Sequence, residues 1–118
     1  MTRALSFPKA RRLTRTSEFE RVKKEGRAEH GRFLTLGFLI SGGDTFRAGF
    51  VTSRRIGGAV VRNRIRRKLR EIVRQDRHLL RQDVWLVLVA RPAAARATSR
   101  ELKDEWLRLA ERASILAA

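Results

Sequence analysis

Seven consecutive apolar residues, Val84–Ala90, end at Arg91-Pro92 and form the most uniformly hydrophobic run of the chain. The run is far shorter than the roughly 20 apolar residues that a helix needs to cross a bilayer. Its length and its valine content favour a β-strand that is buried on both faces, as central strands are. The sequence therefore predicts a sheet with this strand at a central position and helices that cover the sheet.

Two further strands are predicted upstream of this run. Residues 33–40 alternate in polarity, and residues 46–52 form a returning strand after the turn-forming segment Ser41–Asp44. Because the two strands are adjacent and joined by a short turn, they are predicted to pair as a β-hairpin. One face of the first strand is made by Leu34, Leu36, Phe38 and Ile40.

Three helices complete the predicted order α-β-β-α-β-α. Ser17–Glu20 has the spacing of a capping box, with Thr16 as an alternative cap and Gly26 as a stop, and Thr98–Glu101 repeats that spacing before the last helix. The helix between them spans about residues 59–73. Apolar residues recur at helical spacing in the last helix, at Leu102, Trp106, Leu109, Ala110 and Ala113.

This order predicts an α/β (α+β) two-layer sandwich with a small mixed sheet, and it leaves room for one short extra strand at an edge. The length of 118 residues suits one domain. Residues 1–15 contain no acid and lack the apolar core of a secretory signal, so they predict a basic arm rather than a targeting segment. The domain is placed at residues 16–118.

The formal net charge of +16 is concentrated in two parts of the chain. Residues 1–27 carry +6 and residues 54–82 carry +9, whereas residues 28–53 carry 0 and residues 83–118 carry +1. Net charge indicates partners rather than fold. Two basic segments separated by a neutral one predict contact with a polyanion, which means nucleic acid or an anionic membrane.

The helix at residues 59–73 carries most of this charge. Its apolar stripe consists of Val61, Ile65, Leu69, Ile72 and Val73. The other positions are Asn, Arg or Lys as far as Glu71, and Arg62, Arg66 and Arg70 are like charges four residues apart, which destabilise an isolated helix. A solvated face would mix the signs of its charges, and a membrane-surface helix would carry Trp or Phe on its apolar side. The pattern therefore favours a nucleic-acid face, because the arginine fork suits phosphate.

The run SRRIGGAVVRNRIRRKLRE, Ser53–Glu71, resembles the signature of the bacterial ribonuclease P protein subunit. The Arg62-Asn63-Arg64 core is weak alone, but the whole run, with Gly57, Ala59 and Val60 in place, is specific. The length, the charge and the element order are also similar to that family. So are Arg12-Leu13 followed by Phe19, and the strand that ends in Ala90-Arg91-Pro92. The resemblance covers about residues 11–113.

The resemblance implies a function that the spacing of residues could not show. It implies that the chain assists an RNA subunit, which is itself the catalyst and removes the 5′ leader of precursor tRNA by Mg²⁺-dependent hydrolysis. The Mg²⁺ is expected to be held mainly by the RNA, with no organic cofactor. The implied partners are the catalytic RNA and precursor tRNA, with no membrane and no DNA, in the bacterial cytoplasm. The implied fold has a left-handed β-α-β crossover, a topology shared with a domain of a ribosomal protein.

The resemblance also implies two sets of site residues. The residues expected to bind the RNA subunit are Arg54, Arg55, Arg62, Asn63, Arg64, Arg66, Arg67, Lys68 and Arg70. The residues expected to bind the leader are Arg15, Phe19, Lys23 and Leu36. Lys23 and Leu36 stand where relatives carry aromatic residues, so leader binding is expected to depend more on charge. Asn63 is also placed where it could contact a hydrated metal ion indirectly.

No catalytic side chain and no metal ligand is assigned to the protein itself. There is no cysteine, there are only two histidines, His30 and His78, and the acids Asp44, Asp76 and Asp83 are scattered singly. Asp76 and Asp83 near His78 are interpreted as surface residues after a helix rather than as a site. Trp85 and Trp106 lie in apolar periodic segments and are predicted to be core residues. Two other functions stay open at this point: a structural RNA-binding protein of ribosomal type, and a nuclease that acts without RNA.

Overall fold

The computed structural model describes residues 12–41, 43 and 45–117. The predicted arm lies outside the described residues as far as Arg11, and so do Gly42 and Asp44 of the predicted turn. No helix in these ranges is both long enough and apolar enough to span a membrane. The main elements are α1 (Thr16–Glu25), β1 (Arg27–His30), β2 (Leu34–Ile40), β3 (Arg47–Thr52), α2 (Ala59–Gln75), β4 (Val84–Ala90) and α3 (Ser99–Arg112). Short 3₁₀ helices lie at Arg54–Ile56, Arg77–Leu79 and Pro92–Arg96.

The four strands form one open mixed sheet in the order β1-β2-β4-β3. The strand predicted from the apolar run is confirmed as β4, which pairs antiparallel with β2 and parallel with β3. The mixed α+β architecture and the β3-α2-β4 unit are therefore confirmed. The left-handed sense of that crossover stays a prediction.

The predicted hairpin between β2 and β3 is wrong, because β4 lies between the two strands. A strand that is apolar on both faces is stable when both of its edges are paired, and this outweighs the short connection between β2 and β3. β2 instead forms a hairpin with β1, in a register from Arg27↔Phe38 to His30↔Thr35. β1 is the short extra edge strand for which the predicted order left room, and its position was not predicted because its sequence, RAEH, is mostly polar and exposed.

The helices cover both faces of the sheet. α2 and α3 pack on the face that presents Leu34, Leu36, Leu86 and Leu88, and these residues belong to the larger core. α1 packs on the other face through Val22, which meets Leu13 and Val87 in a second, smaller core. The strict alternation of side chains along β4 thus divides the molecule into two cores, one on each side of the sheet.

The predicted helix ends are confirmed at two places and wrong at one. Gly26 caps the C-terminus of α1, and Thr98 and Glu101 form the reciprocal capping box of α3, at 2.8 and 3.1 Å. α1, however, begins after Arg15 rather than at Ser17. The reason is Glu18, whose Oε1 accepts hydrogen bonds from the backbone N–H groups of Thr14 at 2.9 Å and Arg15 at 3.0 Å.

Two buried acids hold the larger core together. Asp76 is only 6% exposed and accepts a hydrogen bond from Trp106 Nε1 at 2.9 Å, so its interpretation as a surface residue is wrong. Glu105 is 2% exposed, and its carboxylate accepts from the backbone N–H groups of Arg32, Phe33 and Leu34 at 2.7–2.9 Å. Both carboxylates are thus buried with partners, as a buried charge requires.

The two tryptophans differ. Trp106 is fully buried, which confirms its core assignment. Trp85 is only partly buried and lies on the α1 face of the sheet. The guanidinium groups of Arg21 and Arg47 lie 5.2 and 5.3 Å from its ring centroid, within the range of cation–π interactions.

Candidate nucleic-acid interface

The connection into α2 explains the glycine of the basic motif. Gly57 has φ = 151°, in the region that side chains other than glycine rarely adopt. The chain leaves β3, passes through the 3₁₀ helix that carries Arg54 and Arg55, and turns at Gly57 into α2. Arg54 and Arg55 are exposed next to the N-terminus of α2, which places the basic pair beside the basic helix.

The predicted division of α2 into two faces is confirmed. Ile65, Leu69, Ile72 and Val73 are buried against the sheet, and Val61 is half-buried beside them. The residues expected to bind the RNA subunit lie off this stripe. Asn63, Arg64, Arg67 and Arg70 are exposed, whereas Arg62, Arg66 and Lys68 are half-buried.

Arg66 is the cation that the protein itself holds in place. Its Nη1 donates to Asn63 Oδ1 at 3.0 Å, and its Nη2 donates to Thr52 Oγ1 at 2.8 Å. Thr52 is the last residue of β3, so the side chain of Arg66 joins α2 to the sheet. Because Arg66 engages the oxygen of Asn63, the orientation of that amide is fixed as well.

Arg12 adds a further positive charge near Arg70. Residues 12–13 lie along the outer edge of β3, where Leu13 N–H donates to the carbonyl of Ala48 at 3.0 Å. Partial burial lowers the pKa of Arg70, and the positive charges of Arg12 and Arg66 lower that pKa further. Arg70 is therefore close enough to Arg12 and to Arg66 to be repelled by both.

Most cations of this surface have no carboxylate partner. In the part of the chain that the structure describes, seven of the predicted RNA-contacting cations have no ion pair within 4 Å, because the acids lie elsewhere. Glu71, the acid on α2, is paired with Arg74. We call the seven cations without an ion pair, together with Asn63 and Arg66, the α2 surface. The seven are Arg54, Arg55, Arg62, Arg64, Arg67, Lys68 and Arg70.

A groove of about 310 Å³ lies between α1 and the other face of the sheet. Two of the four predicted leader residues, Phe19 and Lys23, line it from α1. The sheet side is apolar and is made by Gly37, Val51, Val87 and Val89. Arg27 adds a second cation at the end of the groove where β1 begins. We call this groove the α1 groove.

The other two predicted leader residues do not line the α1 groove. Leu36 is fully buried in the larger core, so its prediction as a leader contact is corrected: alternation along β2 turns Leu36 towards the helices α2 and α3 and turns its neighbour Gly37 towards the groove. Arg15 is exposed and lies immediately before α1, outside the lining of the groove.

Sequence reasoning missed the floor of the α1 groove. Val51, Val87 and Val89 read as core residues because the strands that carry them are apolar. The signal that could have found them is the mismatch in area between the two faces of the sheet. α1 is short and has a single buried residue, Val22, so it cannot cover as large an area of its face as α2 and α3 cover on the opposite face.

Comparison with known proteins agrees with this architecture. Residues 7–114 match the family model described as Ribonuclease P. The ribonuclease P protein component of Acidothermus cellulolyticus is 44% identical over 107 residues, covering 87% of this chain and 88% of the relative. The solved structure of the Staphylococcus aureus RNase P protein is similar with a TM-score of 0.84 at 24% identity, covering 92% of this chain and 100% of that one. The RNase P protein from Thermotoga maritima is similar with a TM-score of 0.78 at 27% identity, covering 86% of this chain and 96% of that one. Sequence and fold agree, and the chain belongs to the ribonuclease P protein family.

Proposed function

We propose that this chain is the protein subunit of an endoribonuclease that removes the 5′ leader of precursor tRNA. Membership of the ribonuclease P family implies a role in tRNA processing. In the proposal, the α2 surface binds the catalytic RNA subunit and the α1 groove binds the single-stranded leader. The RNA breaks the phosphodiester bond, and the protein positions the RNA and the substrate.

The unpaired cations of the α2 surface are the observation that carries this proposal. Seven Arg or Lys side chains without a carboxylate within 4 Å would be costly on a surface that served only solubility, because like charges repel. Phosphates between the side chains remove that repulsion, and the counterions that the RNA held at those phosphates are released. The closeness of Arg70 to Arg12 and to Arg66 supports a phosphate-rich partner for the same reason.

The α1 groove supports a single strand as its ligand. Phe19 offers a ring on which a base can stack, and the valines of β3 and β4 offer an apolar floor. Lys23 and Arg27 supply positive charge for the phosphates that accompany those bases. A folded duplex would not enter a groove of about 310 Å³, whereas an unpaired strand presents bases and backbone one at a time.

The two proposed sites lie on opposite faces of the sheet and approach each other around the outer edge of β3. Val51 of β3 lines the α1 groove, whereas Thr52, the next residue, bonds to Arg66 of the α2 surface. Arg12 lies along the same edge. A leader in the groove and an RNA on α2 would therefore be held at a fixed distance by one short strand, which suits a protein that aligns a substrate with a catalyst.

Among the described residues, no group of three or more His, Asp or Glu side chains is placed to hold a metal ion. Asn63 Oδ1 accepts a hydrogen bond from Arg66, and its neighbours along α2 are cations. In the proposal, the Mg²⁺ of the reaction is held mainly by the RNA, Asn63 contacts it at most indirectly, and the protein contributes binding, orientation and neutralisation of phosphate charge.

Cleavage of precursor tRNA at low Mg²⁺ tests the proposal. The assay compares an in vitro transcript of the ribonuclease P RNA from the same genome, the protein alone, and the two combined. We expect the protein to be inactive alone and to stimulate the RNA strongly when Mg²⁺ is limiting. An RNA that cleaves equally well without the protein would leave the role of a structural RNA-binding protein, and cleavage by the protein alone would show an independent nuclease.

A further inference from the structure

A second groove, of about 760 Å³, lies between α2 and the first turns of α3. Arg67 and Lys68 of α2 form one wall, and Arg100 and Lys103 of α3 form the other. Ile72 contributes an apolar surface between the walls. Two helices from distant parts of the sequence thus bring four cations to one opening. We call it the α2–α3 groove.

The acids of the α2–α3 groove do not neutralise its cations. Glu71 lines the groove, but its carboxylate is engaged by Arg74 and by Gln75 Nε2. Asp104 also lines the groove and is exposed. In the described ranges, none of the four cations has a carboxylate within 4 Å, and Lys68 and Lys103 are half-buried. Their aliphatic stems therefore pack in the groove while their ammonium groups lack a partner among the described residues.

We infer that the α2–α3 groove binds phosphates of the RNA subunit, and that Arg100 and Lys103 continue the α2 surface onto α3. Arg67 and Lys68 belong to both the α2 surface and the α2–α3 groove. The positive charge is therefore continuous from α2 to Arg100 and Lys103, along the path of an RNA backbone that crosses α2. This inference rests on the proposed function and adds two residues to it. The charge pattern of the sequence did not indicate these two residues, because residues 83–118 carry a net charge of only +1.

The salt dependence of RNA binding tests the inference. The double variant Arg100→Ala/Lys103→Ala removes two proposed phosphate contacts and leaves α2 unchanged. We expect the slope of log K against log[KCl] for the ribonuclease P RNA transcript to fall by about 2, which is about 1 for each lost contact. The matched control is Arg108→Ala/Arg112→Ala, which removes two exposed arginines that pair with Glu105 and Glu29 at 3.7 and 3.0 Å. The control should keep the slope, provided that its circular dichroism matches the unmodified protein.

Photocrosslinking locates the RNA directly and separates the two proposals. The chain has no cysteine, so a single introduced cysteine can carry an azidophenacyl group at one chosen position. We expect crosslinks to the RNA from Lys103→Cys and from Arg64→Cys on the α2 surface, and none from Arg108→Cys. Crosslinks from position 64 without crosslinks from position 103, or an unchanged slope in the double variant, would overturn the inference and leave the proposed function standing. The absence of crosslinks from both positions would overturn both.

Discussion

Gly49 of β3 supports the ring of Phe19 on α1 so closely that a Cβ built at Gly49 would lie 2.6 Å from Phe19 Cε1 and 2.8 Å from its Cζ. Leu13 Cβ would be 3.2 Å away on the same side. The absence of a side chain at Gly49 therefore fixes how deeply the ring sits against the sheet. Because Phe19 lines the α1 groove, one glycine on the sheet determines the shape of a proposed ligand site.

Gly49→Ala should displace the ring of Phe19 and destabilise the fold. We expect a loss of about 1–3 kcal/mol, the usual cost of overpacking, measured by chemical denaturation. Gly37→Ala is the matched control, since it is a strand glycine on the same face whose Cβ would meet Val22 Cγ1 at an ordinary 3.6 Å. Equal stability of the two variants would show that the ring moves freely.

Phe19→Ala should weaken the binding of precursor tRNA more than the binding of mature tRNA. Stacking on an aromatic side chain contributes about 1–3 kcal/mol per base, so the ratio of the two affinities should fall about tenfold. The measurement is equilibrium binding to the reconstituted holoenzyme. Leu79→Ala, which truncates a 41% exposed apolar side chain outside the groove, serves as the control. If both substrates lost affinity equally, Phe19 would be acting only through packing.

Arg67→Ala should weaken assembly with the RNA subunit and leave the fold intact, because Arg67 is exposed and has no ion pair among the described residues. We expect the salt slope of RNA binding to fall by about 1 and the circular dichroism spectrum to stay the same. Ile65→Asp, on the opposite side of the same helix, should instead unfold the domain, since the carboxylate would be driven unpaired into the larger core. An unfolded Arg67→Ala variant would contradict this division of α2.

Glu18 should make stability depend on pH in the acid range. Hydrogen bonding from the Arg15 N–H holds the pKa of Glu18 below its ordinary value of 4.5, and the Thr14 N–H and the charge of Arg47 act in the same direction, against the effect of burial. The unfolded chain therefore takes up the proton at a higher pH than the folded chain. The stabilisation is complete above the unfolded pKa and is lost as the pH falls through the folded pKa.

Glu18→Gln should remove this part of the acid sensitivity. The variant should be less stable at pH 7 by about 1–2 kcal/mol, because the charged acceptor for the N–H groups of Thr14 and Arg15 is lost. Its melting temperature should also change less than that of the unmodified protein between pH 7 and pH 3. Glu20→Gln, which makes the same change at an exposed glutamate of the same helix, is the matched control.

Asp76→Ala should destabilise the larger core, because Trp106 Nε1 would lose its buried acceptor at 2.9 Å. An unsatisfied buried donor costs about 1–3 kcal/mol. Asp76→Asn keeps an oxygen at the same position and should lose less. Asp104→Ala removes an exposed aspartate and provides the baseline in the same denaturation experiment. A loss at position 76 no larger than at position 104 would show that the hydrogen bond contributes nothing.

The elements that could be predicted from the sequence are those with a strong local pattern. β4 is apolar throughout and α2 is apolar on one stripe, so burial dictated both of them, and the second capping box fixed the start of α3. The pairing of strands could not be predicted in the same way. Whether β2 pairs with β3 or with β4 depends on which partner covers more apolar surface, and that is a property of the assembled sheet.

The candidate sites also differ in how far local sequence determines them. The α2 surface was predictable because it lies on one helix, where spacing alone determines which residues share a face. Leu36 was misplaced because its role rested on the resemblance and not on the alternation of β2. The roles of Asp76 and Glu105 could not be predicted either, since an acid becomes a buried acceptor only when another segment folds over it. Arg100 and Lys103 likewise form a candidate site only because α2 lies beside α3 and brings Arg67 and Lys68 to the same groove.

The position of β4 in the sheet has a consequence for synthesis on the ribosome. β4 is the last strand to be made, yet β2 and β3 both pair with it and not with each other. While the chain is being elongated, the edge of β3 that will pair with β4 stays unpaired until residue 90 has left the tunnel of the ribosome. The β1–β2 hairpin and the helix α2 can form earlier, because their contacts are local. The sheet is therefore expected to close in a single late step, when β4 joins its two halves, and α3 can complete the larger core only after that step.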